Sequence, residues 1–186
     1  MSRETSKARS RRVAERLYDT VFVGRGIDIG CGDDPILPDC IKWDVAQGDA
    51  HDLAGIPNES LDYVYSSHCL EHLADPERAL RRWWEVLRTG GKLFVAVPDE
   101  DLYEQVCWPS RYNPEHKVTF TPHKSASWSP VSRNIADLIA MLPCHKLIYL
   151  KTCDDRYIRS GGEWDRTIGD GEAAIEFLVE KVAGTT

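Results

Sequence analysis

The chain has 186 residues, a length that fits one compact domain able to bury its own hydrophobic core. Its net charge of −7 argues against an extended nucleic-acid-binding surface, because phosphates are held by a basic face. Its apolar runs are too short for a membrane-spanning helix, and its first residues lack the apolar core of a secretory signal. The six cysteines include no CxxC pair, which is typical of reduced thiols, so we expect a cytoplasmic protein.

A helix at the N-terminal end and four strands are predicted between residues 6 and 97. Residues 6–19 are rich in Arg, Lys and Ala, with apolar residues at helical spacing. This pattern predicts a helix, with the adjacent Arg11 and Arg12 on a solvated face. Patterns typical of strands then occur at 26–29, 41–45, 61–65 and 92–97.

Two further helices, a long loop and late strands are also predicted. The first helix begins at the N-cap Asp75 and continues through Leu87 to a stop at Gly90-Gly91. Residues 99–130 carry four prolines and are predicted as a loop, and Ser129-Pro130 opens the second helix. A strand is predicted at 145–152, whereas the pattern of 173–182 allows a strand or a helix.

Strands that alternate with helices predict an α/β fold, with a mostly parallel sheet covered by helices on both faces. The two late strands predict an antiparallel hairpin at the sheet edge. We interpret 1–186 as a single domain. Its predicted parts are an N-terminal helix (1–20), a ligand-binding half (24–99), a covering loop (100–130), and a C-terminal helix with edge strands (131–186).

Polar or glycine-rich residues follow the predicted strands, at the sheet edge where open α/β sheets bind ligands. Gly30-Cys31-Gly32 comes directly after the first strand, and glycines there let the backbone approach a ligand closely. Asp44 ends the second strand and can accept hydrogen bonds from a ribose diol. Asp49 in Gly48-Asp49-Ala50-His51 can accept from an adenine amine, and Ser66-Ser67-His68 follows the third strand.

The order of these motifs resembles the class I S-adenosylmethionine-dependent methyltransferases, and more narrowly their type 11 small-molecule branch. The resemblance spans residues 24–99 and is carried by five segments: Ile27 to Gly32, Trp43-Asp44, Gly48 to Ala50, Leu61 to Leu73, and Leu87 to Leu93. Asp34-Pro35 departs from the family pattern, which more often has a third glycine there. The stretch from this loop to Asp44 is also too short for a full crossover helix.

The resemblance implies a Rossmann-like class I methyltransferase fold, with S-adenosylmethionine lying across the strand ends of residues 24–99. It assigns the methionine part to Asp28, Gly30 and Gly32, the ribose to Asp44, the adenine to Asp49 and Ala50, and the floor near the sulfonium to Ser67 and His68. Cys31 and His51 complete the predicted cofactor-binding set. The implied reaction is in-line methyl transfer to an oxygen or nitrogen atom of a small, sugar-like or natural-product-like acceptor.

Candidate catalytic residues are His68, Asp99 and His116, since a hydroxyl acceptor needs a base within hydrogen-bond reach. His116 lies in the 100–130 loop, which in relatives commonly covers the acceptor pocket. We expect a small-molecule acceptor as the only partner, without nucleic acid, membrane or a metal ion. The oligomeric state is left open.

Two other interpretations remain beside this one. His68-Cys69-Leu70-Glu71-His72 matches the H-x-x-E-H pattern, in which two histidines bind zinc and the glutamate acts as base. A zinc metallohydrolase is therefore an alternative, although it needs a third ligand from elsewhere. The other is a module that binds the cofactor without catalysis. A nicotinamide dehydrogenase is disfavoured, because the third glycine is missing and Asp44 comes too early.

Overall fold

Strands and helices alternate along the chain, as the sequence predicts. The computed structural model describes residues 3–158, 165 and 167–184. Its strands are β1 (Gly26–Ile29), β2 (Ile41–Trp43), β3 (Leu61–Ser67), β4 (Leu87–Pro98), β5 (Thr119–Thr121), β6 (Ser132–Asn134), β7 (His145–Cys153) and β8 (Ala174–Lys181). Its helices are α1 (Glu4–Lys7), α2 (Arg9–Ala14), α3 (Leu17–Thr20), α4 (Pro76–Glu85) and α5 (Ile135–Ala140), with a 3-10 turn at Leu70–His72.

Six of these strands form one sheet in the order β2–β1–β3–β4–β8–β7. The first four are parallel to one another, whereas β8 runs antiparallel to both β4 and β7. The mostly parallel sheet and the antiparallel C-terminal pair are therefore confirmed. β8 lies inside the sheet, so β7 alone forms that edge. β5 and β6 form a separate two-stranded parallel sheet.

Both faces of the sheet are covered, because alternate strand residues point to opposite sides. Val64 and Leu93 join the core that packs under α4 and α5, where Trp83 is fully buried. Tyr65 and Phe94, the next residues along β3 and β4, join the opposite core under α3. The predicted arrangement with helices on both faces is confirmed. None of the helices in the described part of the chain has the length and apolar character needed to span a bilayer.

The N-terminal segment differs from its prediction in two respects. It forms three short helices rather than one, with a break at Arg16, whose φ of 60° lies in the left-handed region. The prediction of a solvated arginine face was wrong. Arg12 is 2% exposed and Arg11 is largely buried, because both pair with Glu176 on β8. A partner 164 positions away in the chain leaves no local signal.

Two helix boundaries also differ from their predictions. α4 is capped by the side chain of Asp75, as predicted, but it ends at Glu85. Leu87 pairs with Leu61 on β3, so Gly90-Gly91 lies inside β4 instead of stopping the helix. α5 begins after Asn134, whose side chain accepts a hydrogen bond from the Ala136 amide at 2.9 Å. Residues just before it pair as β6, which delays the helix beyond the predicted Ser129-Pro130 start.

Candidate active site

A cleft lies at the carboxyl ends of β1, β2 and β3, which is where the sequence places the ligand. It consists of two adjoining cavities. The first cavity, about 590 Å³, is lined by residues that include Gly32, Ser67 and Glu71. The second cavity, about 510 Å³, is lined by residues that include Trp43, Asp49 and Ala50. Both linings share Gly30, Asp44, His68 and His72, and volumes of this size suit small-molecule ligands.

The glycine loop after β1 adopts a backbone conformation that favours glycine. Gly30 and Gly32 have φ values of 77° and 49°. A Cβ on Gly30 would lie 2.4 Å from the Cβ of Cys69, so a larger residue would collide there. The Gly30 amide donates to the Trp43 carbonyl at 2.8 Å, which joins the loop to the end of β2. Cys31 lies in the lining of the first cavity between the two glycines.

Asp44 stands at the border between the two cavities. One of its carboxylate oxygens accepts from the Gly32 amide at 2.7 Å, and the other accepts from the Val45 amide at 2.7 Å. Its own amide donates to the Gln47 side chain. A carboxylate has about four lone-pair sites, so these bonds fix its orientation and still leave acceptor capacity toward a ligand.

Asp49 and Ala50 lie in the second cavity, as the adenine assignment requires. The Asp49 carboxylate accepts from the His51 amide at 2.8 Å and lies 2.7 Å from the His51 ring nitrogen Nδ1. Two hydrogen bonds from His51 lower the pKa of Asp49. The bond from the amide has the larger effect, and the bond from the ring has the smaller one. His51 itself lies outside both linings. It therefore orients Asp49 and does not face the cleft.

Two predicted acids are buried and line neither cavity. Asp28 is 1% exposed and accepts from the Ile36 amide at 2.6 Å, which holds the far side of the glycine loop. Burial raises the pKa of Asp28 to about 7. Asp99 is also buried and accepts from the amides of Asp101 and Leu102. Both carboxylates accept hydrogen bonds from backbone amides and thereby stabilise loops.

His68 lies in the linings of both cavities, next to Ser67 in the first. Its backbone has a φ of 53°, which turns the chain at the end of β3. Its ring nitrogens lie 3.7 Å from Glu4 and 3.6 Å from Glu71. Burial lowers the pKa of His68 to about 4. The imidazole is therefore neutral at pH 7 and can accept a hydrogen bond or a proton.

His116 lies behind the cleft wall and outside both linings. Its Nδ1 is 2.6 Å from a Glu104 carboxylate oxygen, and its ring centroid is 4.9 Å from that of His72 and 5.4 Å from that of Tyr103. Its Nε2 is 3.9 Å from Glu71, whose carboxylate is 1% exposed. Of the three predicted catalytic residues, His68 therefore reaches the cleft, whereas Asp99 and His116 do not.

Several cleft residues were not predicted from the sequence. The first cavity also contains Arg3, Glu4 and Thr5 from the N-terminal segment, and Asn113 and Glu115 from the segment after β4. Charged residues near a chain start and in a proline-rich loop carry no periodic signal, so nothing in the sequence distinguished them. Glu104, the partner of His116, was missed for the same reason.

The sheet order, the antiparallel β8 and the cleft at the ends of β1 to β3 define the class I methyltransferase fold. Residues 36–95 match the family model described as a methyltransferase domain. A 52-residue segment is 48% identical to trans-aconitate 2-methyltransferase of Deinococcus radiodurans, covering 28% of this chain. The matched segment spans 19% of that relative's length.

Solved structures share the fold over nearly the whole chain. A SAM-dependent methyltransferase from Archaeoglobus fulgidus superposes with a TM-score of 0.57 and 19% identity, covering 97% of this chain and 95% of that one. The [4+2]-cyclase SpnF superposes with a TM-score of 0.58 and 14% identity, covering 93% and 81%. The family match over residues 36–95 and the shared fold agree with the resemblance to the class I S-adenosylmethionine-dependent methyltransferases. The predicted fold and the predicted resemblance are thus confirmed, and the comparisons support S-adenosylmethionine as the cofactor.

Proposed function

We propose that the protein is an S-adenosylmethionine-dependent methyltransferase that methylates an oxygen or nitrogen atom of a small molecule. The observation that carries this proposal is the position of Asp44. Its carboxylate lies between two adjoining cavities, fixed by the glycine loop on one side and by Val45 on the other. A ribose at this border would lie between a methionine part in the first cavity and an adenine in the second.

The residues present fit this cofactor. The close approach of the backbone at Gly30 and Gly32 leaves room for the methionine part in the first cavity. Asp44 would bind the ribose hydroxyls. Asp49, whose lowered pKa keeps it ionised, would accept from the adenine amine, with the backbone at Ala50 beside it in the second cavity. Trp43 and Leu73 supply apolar surface in the same cavity.

S-adenosylmethionine supplies a methyl group on a positively charged sulfur. The protein's main contribution to an in-line displacement is to position the acceptor along the axis of the breaking bond. Ser67 and His68 line the cavity where the acceptor would lie. The neutral imidazole of His68 can take the proton of a hydroxyl acceptor within hydrogen-bond reach.

The charge of the first cavity favours a neutral or cationic acceptor. Its lining contains the carboxylates of Glu4, Asp33, Asp34, Asp44 and Glu115, against one cation, Arg3. A polyanionic acceptor would be repelled by this lining. The trans-aconitate named for the Deinococcus relative is a polyanion, so we do not propose it here. Sugar-like or amine-bearing acceptors agree better with this charge.

The proposal is tested by titrating S-adenosylmethionine into the purified protein by calorimetry. We expect saturable one-to-one binding, and at least a tenfold loss in Asp44→Ala, because hydrogen bonds to a charged group contribute about 1.5–3 kcal/mol. Asp39→Ala is the matched control. Asp39 is an exposed acid in the same segment and lines neither cavity, so binding should not change. Equal affinities in the Asp44 variant and the wild type would contradict the proposal.

Catalysis is tested separately from binding. Release of S-adenosylhomocysteine should increase with some members of a panel of hydroxyl and amine acceptors, and His68→Ala should reduce turnover. Normal cofactor binding without turnover on any member would instead favour the non-catalytic alternative. The fold itself permits functions other than methyl transfer, since SpnF, described as a cyclase, shares it.

A further inference from the structure

We propose that Glu71, His72 and His116 bind a divalent cation of the zinc class in the wall of the first cavity, with Glu104 orienting His116. One potential ligand atom from each of the three residues lies within 4.8 Å of the others. A Glu71 carboxylate oxygen is 3.9 Å from the Nε2 atoms of both His72 and His116. Ligand atoms around tetrahedral zinc lie roughly 3.3 Å apart, so small side-chain rotations would close the site.

The polar atoms of this cluster are buried and unsatisfied. Neither carboxylate oxygen of Glu71 has a hydrogen-bond partner among the described residues, and neither does Nε2 of His116. Both side chains are 1% exposed. Unpaired buried polar groups are rare because each one costs free energy. A single cation bound between them would satisfy the carboxylate and both imidazoles together.

The contact between His116 and Glu104 has the geometry of an outer-shell interaction in metal sites. The N–H at Nδ1 of His116 donates to Glu104 at 2.6 Å, and both side chains are almost fully buried. This bond fixes the tautomer that leaves the Nε2 lone pair directed toward Glu71. Metal-binding histidines commonly donate their other N–H to a carboxylate in this way.

The backbone holds the two ligand segments together before any ion binds. The amide of Lys117 donates to the carbonyl of Glu71 at 2.7 Å, next to His116. The 3-10 turn Leu70–His72 carries the other two ligands. The H-x-x-E-H pattern had suggested His68 and His72 as ligands, with Glu71 as base. In the structure the cluster instead contains Glu71 and takes its third member from His116, 44 positions after His72.

The site would leave a coordination position open toward the cleft. Glu71 and His72 line the first cavity, whereas His116 and Glu104 lie behind them. Three protein ligands with one open position are typical of zinc sites that bind a reactive oxygen. An ion here would bind the acceptor hydroxyl and lower its pKa. This role rests on the proposed methyltransferase function, whereas cation binding itself does not.

A second group of potential ligands carries no such proposal. Cys153, Glu172 and Glu176 also lie close together. Their two carboxylates are already paired with Arg11, and Glu176 also with Arg12, so a cation there would meet neutralised acids.

The test is a calorimetric titration of metal-free protein with Zn²⁺. We expect one equivalent to bind with micromolar or tighter affinity, and Mg²⁺ to bind much more weakly, because imidazole ligands favour zinc. Glu71→Gln and His116→Ala should each lose at least 100-fold in zinc affinity. Glu104→Gln should lose about 10- to 100-fold, as expected for an outer-shell partner. His123→Ala, an exposed histidine outside the cleft, is the control and should bind zinc normally.

Cobalt gives a readout that loss of folding cannot imitate. Co²⁺ in the wild type should show the visible absorption of a four- or five-coordinate ion, and His116→Ala should lose these bands while its far-ultraviolet circular dichroism is unchanged. S-adenosylmethionine binding is measured on the same metal-free samples. Absence of stoichiometric zinc binding, or zinc affinity unchanged in both ligand variants, would overturn the inference even where the cofactor binds normally. Loss of cofactor binding alone would instead overturn the proposed function.

Discussion

The guanidinium of Arg12 donates to a carboxylate oxygen of Glu176 at 2.8 Å, and both side chains are buried. Arg12 also donates to the Tyr65 hydroxyl at 2.6 Å and lies over the Phe94 ring. Arg11 donates to the same glutamate. These contacts join α2 to β8 and β3, and so attach the N-terminal segment, which contributes to the cleft wall, to the centre of the sheet.

We predict that Glu176→Gln strongly destabilises the fold. The substitution leaves the buried guanidinium of Arg12 without its carboxylate and removes one of the carboxylates paired with Arg11, and breaking one side of a buried ion pair costs about 3–5 kcal/mol. Urea unfolding at pH 7 measures the loss. Asp52→Asn, which removes an exposed pair with Arg78, is the control and should change the free energy of unfolding by less than about 1 kcal/mol. Equal losses in the two variants would contradict this account.

The same ion pair should make the wild type sensitive to acid. Burial alone would raise the pKa of Glu176, but the guanidiniums outweigh it and lower this pKa from 4.5 to about 2. A depressed pKa contributes stability above pH 4.5, and that contribution is lost as the pH falls toward 2. Between pH 5 and pH 3, the wild type should therefore lose more unfolding free energy than Glu176→Gln. Parallel pH curves would show that the pair does not have this role.

Local signals in the sequence were sufficient for the strands and for the outline of the cleft. The strand patterns near Ile27 and Val64 and the cap at Asp75 depend on neighbouring residues only. Gly30 and Asp44 could be placed together because the carboxyl ends of parallel strands meet at one edge of the sheet. Residues that are distant in sequence can be placed together when a general rule about the fold, such as this one, applies to them.

Other features depend on contacts between distant parts of the chain, and no general rule about the fold predicts these contacts. Gly90-Gly91 is a genuine stop signal, but the pairing of Leu87 with Leu61 starts β4 before it is reached. The arginines of α2 were predicted to be solvated because Glu176 is far away in sequence. The contact of His116 with Glu104 likewise depends on how the long segment after β4 folds back onto the 3-10 turn.

We predict that Asp28→Asn stabilises the protein at alkaline pH. Burial raises the pKa of Asp28 to about 7, whereas the unfolded chain releases this proton near 3.8. The unfolded state therefore binds fewer protons between these values, and the stability of the wild type falls as the pH rises through this window. The asparagine carbonyl can still accept from the Ile36 amide without becoming charged.

Urea unfolding at pH 4 and pH 8 tests this prediction. The variant should match the wild type at pH 4 and exceed it at pH 8, by up to about 4 kcal/mol for a shift of this size. The difference between the two proteins isolates Asp28, because other groups titrate in both. A constant difference across this pH range would show that Asp28 is ionised in the folded protein.

A comparison of two glycines should separate backbone strain from steric collision. Gly30 and Gly55 both have positive φ, 77° and 88°, so alanine at either position costs about 1–2 kcal/mol. A Cβ on Gly55 meets nothing within 4 Å, whereas one on Gly30 collides with Cys69. Overpacking adds about 1–3 kcal/mol, so Gly30→Ala should be the more destabilised of the two in urea unfolding. Equal losses of unfolding free energy in the two variants would mean that Cys69 can move aside without a free-energy cost.

Val45 should contribute to cofactor binding although it makes little contribution to the fold. It is 91% exposed, follows Asp44 directly and lines the second cavity, where an adenine would cover it. Because covering this side chain removes apolar surface from water, Val45→Ser should weaken S-adenosylmethionine binding by about 1 kcal/mol, close to fivefold. Val23→Ser is the matched control, since Val23 is also exposed but lines neither cavity. Calorimetry should show a lower affinity in the first variant alone, with thermal unfolding of both close to the wild type. If both variants bind as tightly as the wild type, the adenine lies elsewhere than the second cavity.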